Sequence, residues 1–208
     1  MIEQIQTASV HRPKREVGRF NPLTDEELIR LAQGGDPTAY EELVRRYQES
    51  AFRAAYLVLR DAPEAEDAAQ DAFVKAWGAL HRFRTGSMRP WLLRIVMNES
   101  LNRLKARSRR IAIAERTAAA GEPSDWTLDE AVINREQAYL LRRALDALKE
   151  QERTLIYLRF FLTLSEHELA EYFGCPPGTI KSRLSRALTS LREVVTKDYP
   201  GLSVGGLQ

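Results

Sequence analysis

One cysteine, three histidines and the lack of any long apolar run set the first limits on this 208-residue chain. Cys175 alone cannot form an internal disulfide. His11, His81 and His167 are too scattered to offer a zinc-ligand spacing, so no metal or disulfide is expected to staple the fold. No window approaches the roughly 18 consecutive apolar residues of a membrane span. Glu3 and His11 stand where a secretory leader would carry its apolar core, and the chain is expected to be cytoplasmic. Signatures of catalysis are missing too. Gly34-Gly35 runs into Asp36-Pro37 with no Lys to complete a phosphate-binding loop, no Cys and His pair up, and Glu166-His167 lacks a second His. Neither an enzyme nor a cofactor is expected. No segment alternates with period two long enough to form a strand, so the fold class expected is all-α. What is present, 44% hydrophobic and 29% charged residues, is enough for one large domain or two small ones, each with its own modest core.

The 31 Lys and Arg and 29 Asp and Glu leave a net charge of +2, which by itself says nothing about partners. Their distribution is more informative. Asp61, Glu64, Glu66, Asp67 and Asp71 follow one another with no Lys or Arg between them, whereas Arg103, Lys105, Arg107, Arg109 and Arg110 form a stretch with no acid. Residues 122–136 are acidic again, and Lys181, Arg183, Arg186 and Arg192 make the last helical pattern purely basic. Such blocks point to partners of opposite charge, although any one block taken alone also reads as a solvated face.

Residues 1–22 lack periodicity and contain His11, Arg12, Pro13, Lys14 and Arg15, the pattern of a flexible basic tail. After it, Thr24 and Glu27 form a capping box, and Asp36-Pro37 supplies an N-cap and first-turn proline for a long amphipathic helix reaching Leu59. Pro63 opens a third helix. Its expected buried stripe is Ala69, Phe73, Ala76, Trp77 and Leu80, with Asp67, Gln70, Asp71 and Val74 on another side. Gly86 and Pro90 punctuate a loop, and a fourth helix is expected from Trp91 to about Arg107, with Leu93, Val96, Met97, Leu101 and Leu104 inward. Asn98 and Asn102 then share the opposite face with Arg94, Lys105 and Arg109. From Ser108 to about Asp129 the periodicity fades into a linker.

Periodicity returns from Val132 to Leu148 and from Leu155 to Phe161. A capped helix from Ser165 and Glu168 leads through Gly174-Cys175-Pro176-Pro177-Gly178 into a basic helix, a helix-turn-helix arrangement. Ile180, Leu184, Ala187, Leu188 and Leu191 form its inner stripe. Thr179, Ser182, Ser185, Arg186 and Thr189 point outward, where an Arg can hold a guanine edge with two hydrogen bonds, and Lys181, Arg183 and Arg192 flank that arc and suit phosphates. Cys175 in the turn reads as a small apolar residue rather than a redox sensor.

Over roughly residues 23–195 the sequence resembles the extracytoplasmic-function (ECF) group of sigma-70 family alternative sigma factors. Ala39 to Tyr47 resembles the opening helix of sigma region 2, and Ala65 to Trp77 the segment that grips RNA polymerase. Phe83-Arg84, Trp91 to Asn98, Asn102 and Arg109-Arg110 resemble the promoter-melting part, and Leu164 to Arg183 resembles region 4. The resemblance implies a tail over 1–22, region 2 over 23–108, a linker over 109–133, a region 4 helix-turn-helix over 134–196 and a tail over 197–208. It implies that Asp67, Gln70, Asp71 and Val74 bind the clamp helices of the largest core polymerase subunit, with the flap of the second subunit a further partner. Gly86, Ser87, Met88, Trp91, Arg94, Asn98, Asn102, Lys105, Arg109 and Arg110 would hold minus-10 DNA, with loop atoms forming a pocket for an unstacked base. For Trp91, packing at a helix start competes with stacking on DNA. Thr179, Lys181, Ser182, Arg183, Ser185 and Arg186 would meet minus-35 DNA. An anti-sigma factor is a further partner to look for. The sequence departs from the family pattern at Arg89-Pro90, ahead of the Trp, and at Lys181, where Arg is frequent. The competing reading is a dimeric helix-turn-helix repressor, which the C-terminal half alone would satisfy.

Overall fold

The computed structural model describes residues 23–114, 135–200 and 202. The basic tail over 1–22, residues 115–133 of the expected linker over 109–133, and residues 201 and 203–208 of the expected tail over 197–208 lie outside the described residues, whereas residues 109–114 of that linker are helical. Every regular element among those described is helical.

Helix α1 (Asp25–Gln33) opens with the expected capping box: Thr24 Oγ1 accepts from the Glu27 N–H at 3.3 Å, and the Glu27 carboxylate accepts from the Thr24 N–H at 2.7 Å. These bonds hold the Glu27 carboxyl below its ordinary range. Helix α2 (Pro37–Leu59) is capped by Asp36, which accepts from the Thr38 and Ala39 N–H groups, and carries proline where the missing N–H costs nothing. Helix α3 (Ala62–Ala79) is capped by Asp61. It buries Ala65, Ala68, Ala69, Ala72 and Ala76 while α2 buries Ala51, Ala54 and Ala55, so small side chains supply much of the buried surface in this part of the core.

After a 3-10 turn over Leu80–Arg82 and Gly86 at φ +100°, helix α4 runs from Met88 to Ala114. It is longer at both ends than the periodicity predicts. Pro90 does not keep the chain out of helix, because in the first turn its absent N–H has no helical acceptor to lose. Beyond Arg107 the apolar stripe ends but the helix continues. Leu92, Leu93, Val96 and Met97 are buried, and Ser100, also buried, satisfies its hydroxyl on the Val96 carbonyl at 2.8 Å.

The second lobe comprises α5 (Arg135–Asp146), α6 (Glu150–Ile156), a π-helical turn (Tyr157–Phe161), α7 (Glu166–Phe173) and α8 (Pro177–Asp198). Ser165 and Glu168 form the second capping box, and Gly174 closes α7 in the left-handed conformation at φ +62°, which glycine adopts without a Cβ penalty. Pro177 then starts α8. Leu145, Leu155, Leu158, Leu169, Ile180, Ala187 and Leu191 are buried among these helices. The two lobes are not separate in their cores. One apolar cluster runs from Leu57, Phe73 and Val96 through to Leu158, Leu169 and Ile180, with α4 packed on α7.

Candidate nucleic-acid and partner interface

On α3 the buried alanines occupy one side, and Asp67, Gln70, Asp71 and Val74 are all exposed on the other, Val74 by 72%. Trp77 departs from the sequence expectation. It is 41% exposed rather than part of the buried stripe, because its ring rests against Tyr40 at 4.7 Å between centroids instead of entering the core. Tyr40 is itself fixed, donating from its hydroxyl to the Phe73 carbonyl at 2.6 Å, and burial pushes its pKa up to about 12. The exposed side of α3 therefore combines carboxylates, an amide and two apolar groups.

The acidic run is less bare in space than in sequence. Arg103 of α4 pairs with Asp71, and Arg107 reaches Glu64 at 3.4 Å, so two acids of α3 are met by the basic stretch that follows it in the fold. Lys75 and Arg103 together hold Glu99, whose carboxyl they lower below its ordinary range. Asp67 and Gln70 meet no such partner among the described residues.

Along α4, Arg94, Asn98, Asn102, Lys105 and Arg109 recur every three or four residues and are exposed together, opposite Leu93, Val96 and Met97, and Arg110 is exposed beside them. The N-terminal edge of this face differs from expectation. Met88 is the first residue of α4 and only 2% exposed, so its side chain belongs to the core and not to a loop pocket. Trp91 is half-buried and meets Phe83 edge-on at 5.2 Å between ring centroids, as a packed indole. Gly86 and Ser87 alone remain in the loop, and the Ser87 N–H donates to the Glu171 carboxylate at 3.0 Å. Arg94 donates to the Glu171 carbonyl at 2.5 Å and to that of Tyr172, and Lys105 pairs with Glu150 at 3.0 Å. Residues this far apart in sequence carry no local signal of their meeting, and neither Glu171 nor Glu150 is legible as a neighbour of this face from spacing.

On α8 the expected division is kept in outline, with Leu184 and Leu188 of the expected inner stripe half-buried. Ile180, Ala187 and Leu191 are buried, and Lys181, Ser182, Arg183, Ser185, Arg186 and Thr189 are exposed, with Thr179 half-buried at the start. The hydroxyls of Ser182 and Thr189 donate back to the Thr179 and Ser185 carbonyls at 3.0 Å each, which leaves their oxygens as acceptors. Arg186 Nε lies 3.3 Å from the Ser182 carbonyl, with its remaining donors on the exposed arc, and Lys181 lies 3.6 Å from Glu166. Cys175 is half-buried against the common core. No group of His, Cys, Asp and Glu among the described residues could hold a metal ion, and none of their helices is long and apolar enough to cross a membrane.

Comparison with known proteins covers both lobes. Residues 43–110 match the family model described as Sigma-70 region 2, and residues 139–191 that described as Sigma-70, region 4. The RNA polymerase sigma-H factor of Pseudomonas aeruginosa is 36% identical over 182 residues, covering 83% of this chain and 92% of that protein. The ECF RNA polymerase sigma-E factor of Escherichia coli is 36% identical over 176 residues, covering 79% and 91%. Among solved structures, CnrH in complex with the cytosolic domain of CnrY aligns over 84% of this chain and 98% of that one, with a TM-score of 0.59 and 25% identity. The sigma factor RpoE of Bartonella quintana, in complex with the anti-sigma factor NepR, aligns over 76% and 98%, with a TM-score of 0.57 and 26% identity. A repressor built on α7 and α8 alone is not supported, because the likeness extends through the first lobe.

Proposed function

The chain belongs to the sigma-70 family of RNA polymerase sigma factors, in its ECF group, and from that membership we propose how its exposed faces divide the work. A sigma factor is a transcription initiation factor: it binds core RNA polymerase and directs it to promoters. In this reading α3 meets core through Asp67, Gln70, Asp71 and Val74, with the Trp77 edge extending the apolar part. Carboxylates and an amide beside an exposed valine suit a partner helix bearing Arg and apolar groups. The region 4 lobe meets the flap of the second subunit, and the chain supplies no catalytic group of its own.

The polar face of α4 takes the minus-10 element. Asn98 and Asn102 read the edge of an unstacked base, while Arg94, Lys105, Arg109 and Arg110 neutralise phosphates, and Gly86 and Ser87 contribute backbone donors. With Met88 buried and Trp91 packed, the base is held by helix side chains and two loop residues. On α8, Thr179, Ser182, Ser185 and Arg186 face minus-35 bases, and Lys181 and Arg183 face phosphates. The lobes are assigned to 23–108 and 134–196, with α4 and α8 carrying their helices on to Ala114 and Asp198.

The observation that carries the reading is the pairing, in one lobe, of an exposed acidic and apolar helix side with an exposed amide and basic helix side. The test is pull-down with core polymerase. Asp67→Arg combined with Val74→Asp should abolish capture of core at unchanged helical content, and retained capture would remove α3 from the interface.

A further inference from the structure

Leu57 of α2 and Met97, Leu101 and Leu104 of α4 form one wall of a cavity of about 270 Å³ at the boundary of the lobes, and Arg153, Thr154 and Tyr157 of the second lobe form another. None of its lining residues belongs to the faces proposed for core polymerase or DNA. Three guanidiniums, those of Arg60, Arg107 and Arg153, line it against one carboxylate, that of Asp146. Arg60 takes both Asp146 oxygens, at 2.6 and 2.5 Å. Arg153 stands 3.7 Å from the same carboxylate and makes its hydrogen bond to the Asp146 carbonyl instead, at 3.2 Å. Arg107 meets Glu64 at 3.4 Å, beyond the usual length of such a bond. Each guanidinium carries five N–H donors, so the lining holds more cationic donors than its own acids accept. Two further features set the place apart from an ordinary gap in packing. Arg60, at the C-cap of α2, holds a left-handed backbone at φ +56°, a conformation that glycine takes without strain and that a bulky side chain does not. Thr154 is only 7% exposed, yet its hydroxyl meets no hydrogen-bond partner among the described residues, where a buried hydroxyl ordinarily has one.

We propose that this cavity binds a small organic anion, a carboxylate or phosphate monoester on a compact apolar body. The head accepts charge-assisted bonds from Arg153 and Arg107 and one from the Thr154 hydroxyl. The body lies on Leu57, Met97, Leu101 and Leu104. The volume falls just below the range of ordinary small-ligand pockets, about 300–1,000 Å³, which limits the body to a phenyl ring or a short alkyl chain. Arg107 comes from the first lobe and Arg153 and Thr154 from the second, so the site is complete only where the lobes meet. A bound anion therefore adds to the stability of that arrangement by mass action, and its concentration becomes an input to the factor separate from core polymerase and promoter.

The test is titration calorimetry on the full chain with 4-phenylbutyrate and with 2-phenylethyl phosphate, and with 4-phenyl-1-butanol as the neutral control. At least one of the anions should bind saturably, one per chain, and raise the melting temperature, and the alcohol should do neither. The stronger of the two anions identifies the head group. Thr154→Val keeps the side-chain shape without the hydroxyl and should weaken binding about tenfold, as should Arg153→Gln. Leu101→Phe, which fills the apolar wall, should abolish binding at unchanged helical content, so the proposal stays testable if a polar variant disturbs the lobe boundary. Arg45→Gln, which removes a guanidinium from an exposed position on α2, should bind as the parent does. No saturable binding of either anion, equal binding of the alcohol, or binding that survives both Thr154→Val and Leu101→Phe overturns the proposal.

Discussion

Arg183 and Arg186 stand one turn apart on α8, both exposed, yet they are suited to different tasks. Arg186 shares its arc with Ser182 and Ser185, away from buried Ile180 and Leu191, and can present two donors to a guanine edge. Arg186→Ala should cost about 1–3 kcal/mol and relax preference at one or two minus-35 positions. Arg183→Ala should weaken all sequences alike and reduce the salt slope by about one phosphate contact. Binding of holoenzyme to single-base minus-35 variants at several salt concentrations distinguishes them, and identical profiles would end the division. Asn98 makes a comparable single-residue case. Asn98→Ala should reduce open-complex formation on duplex DNA and lose less on a template mismatched across the minus-10 element, since its proposed task is to capture a base already out of the stack. Exposure of these groups was legible from helical spacing alone, because each lies opposite a leucine or valine stripe. Met88 and Trp77 were not legible in this way. Met88 precedes the first-turn proline that marks the helix start, and Trp77 is drawn out of its stripe by Tyr40, a neighbour on another helix.

At the scale of the element, α3 and α4 are joined by charges that sequence order keeps apart. A run of acids followed some thirty residues later by a run of bases reads as two surfaces, and the helical hairpin turns part of it into an internal seam of Asp71 with Arg103 and Glu64 with Arg107. Glu99 is the most covered acid of this seam, bracketed by Lys75 and Arg103. Its carboxyl is lowered first by the bond from Lys75, so the folded pKa lies below the unfolded value near 4.5. The stability this contributes is complete above that value and is lost as pH falls through the lowered one. Thermal melts from pH 6 to 3 should show the parent losing more stability on acidification than Glu99→Gln, and parallel losses would show that the pair contributes nothing to the seam. Helix α4 also shows the limit of periodicity: its last turns carry no apolar stripe to announce them, and the basic residues there remain helical regardless.

At the scale of the molecule, the all-helical class and the two-lobe order follow from capping boxes, prolines and period, each of which acts within a few residues. The union of the two cores does not, because Leu92 and Leu169 satisfy the same burial requirement whether their lobes meet or stay apart. The central claim is that the chain acts as an initiation factor through both lobes. Its most direct measurement is transcription in vitro by core polymerase with and without the purified chain on a library of bacterial promoter fragments, with start sites mapped. Initiation at a defined subset of promoters sharing minus-10 and minus-35 elements, dependent on the added chain and abolished by Asp67→Arg with Val74→Asp, is the result predicted. Core bound by the chain yet starting at no defined site, or starts unaffected by that double variant, would contradict it.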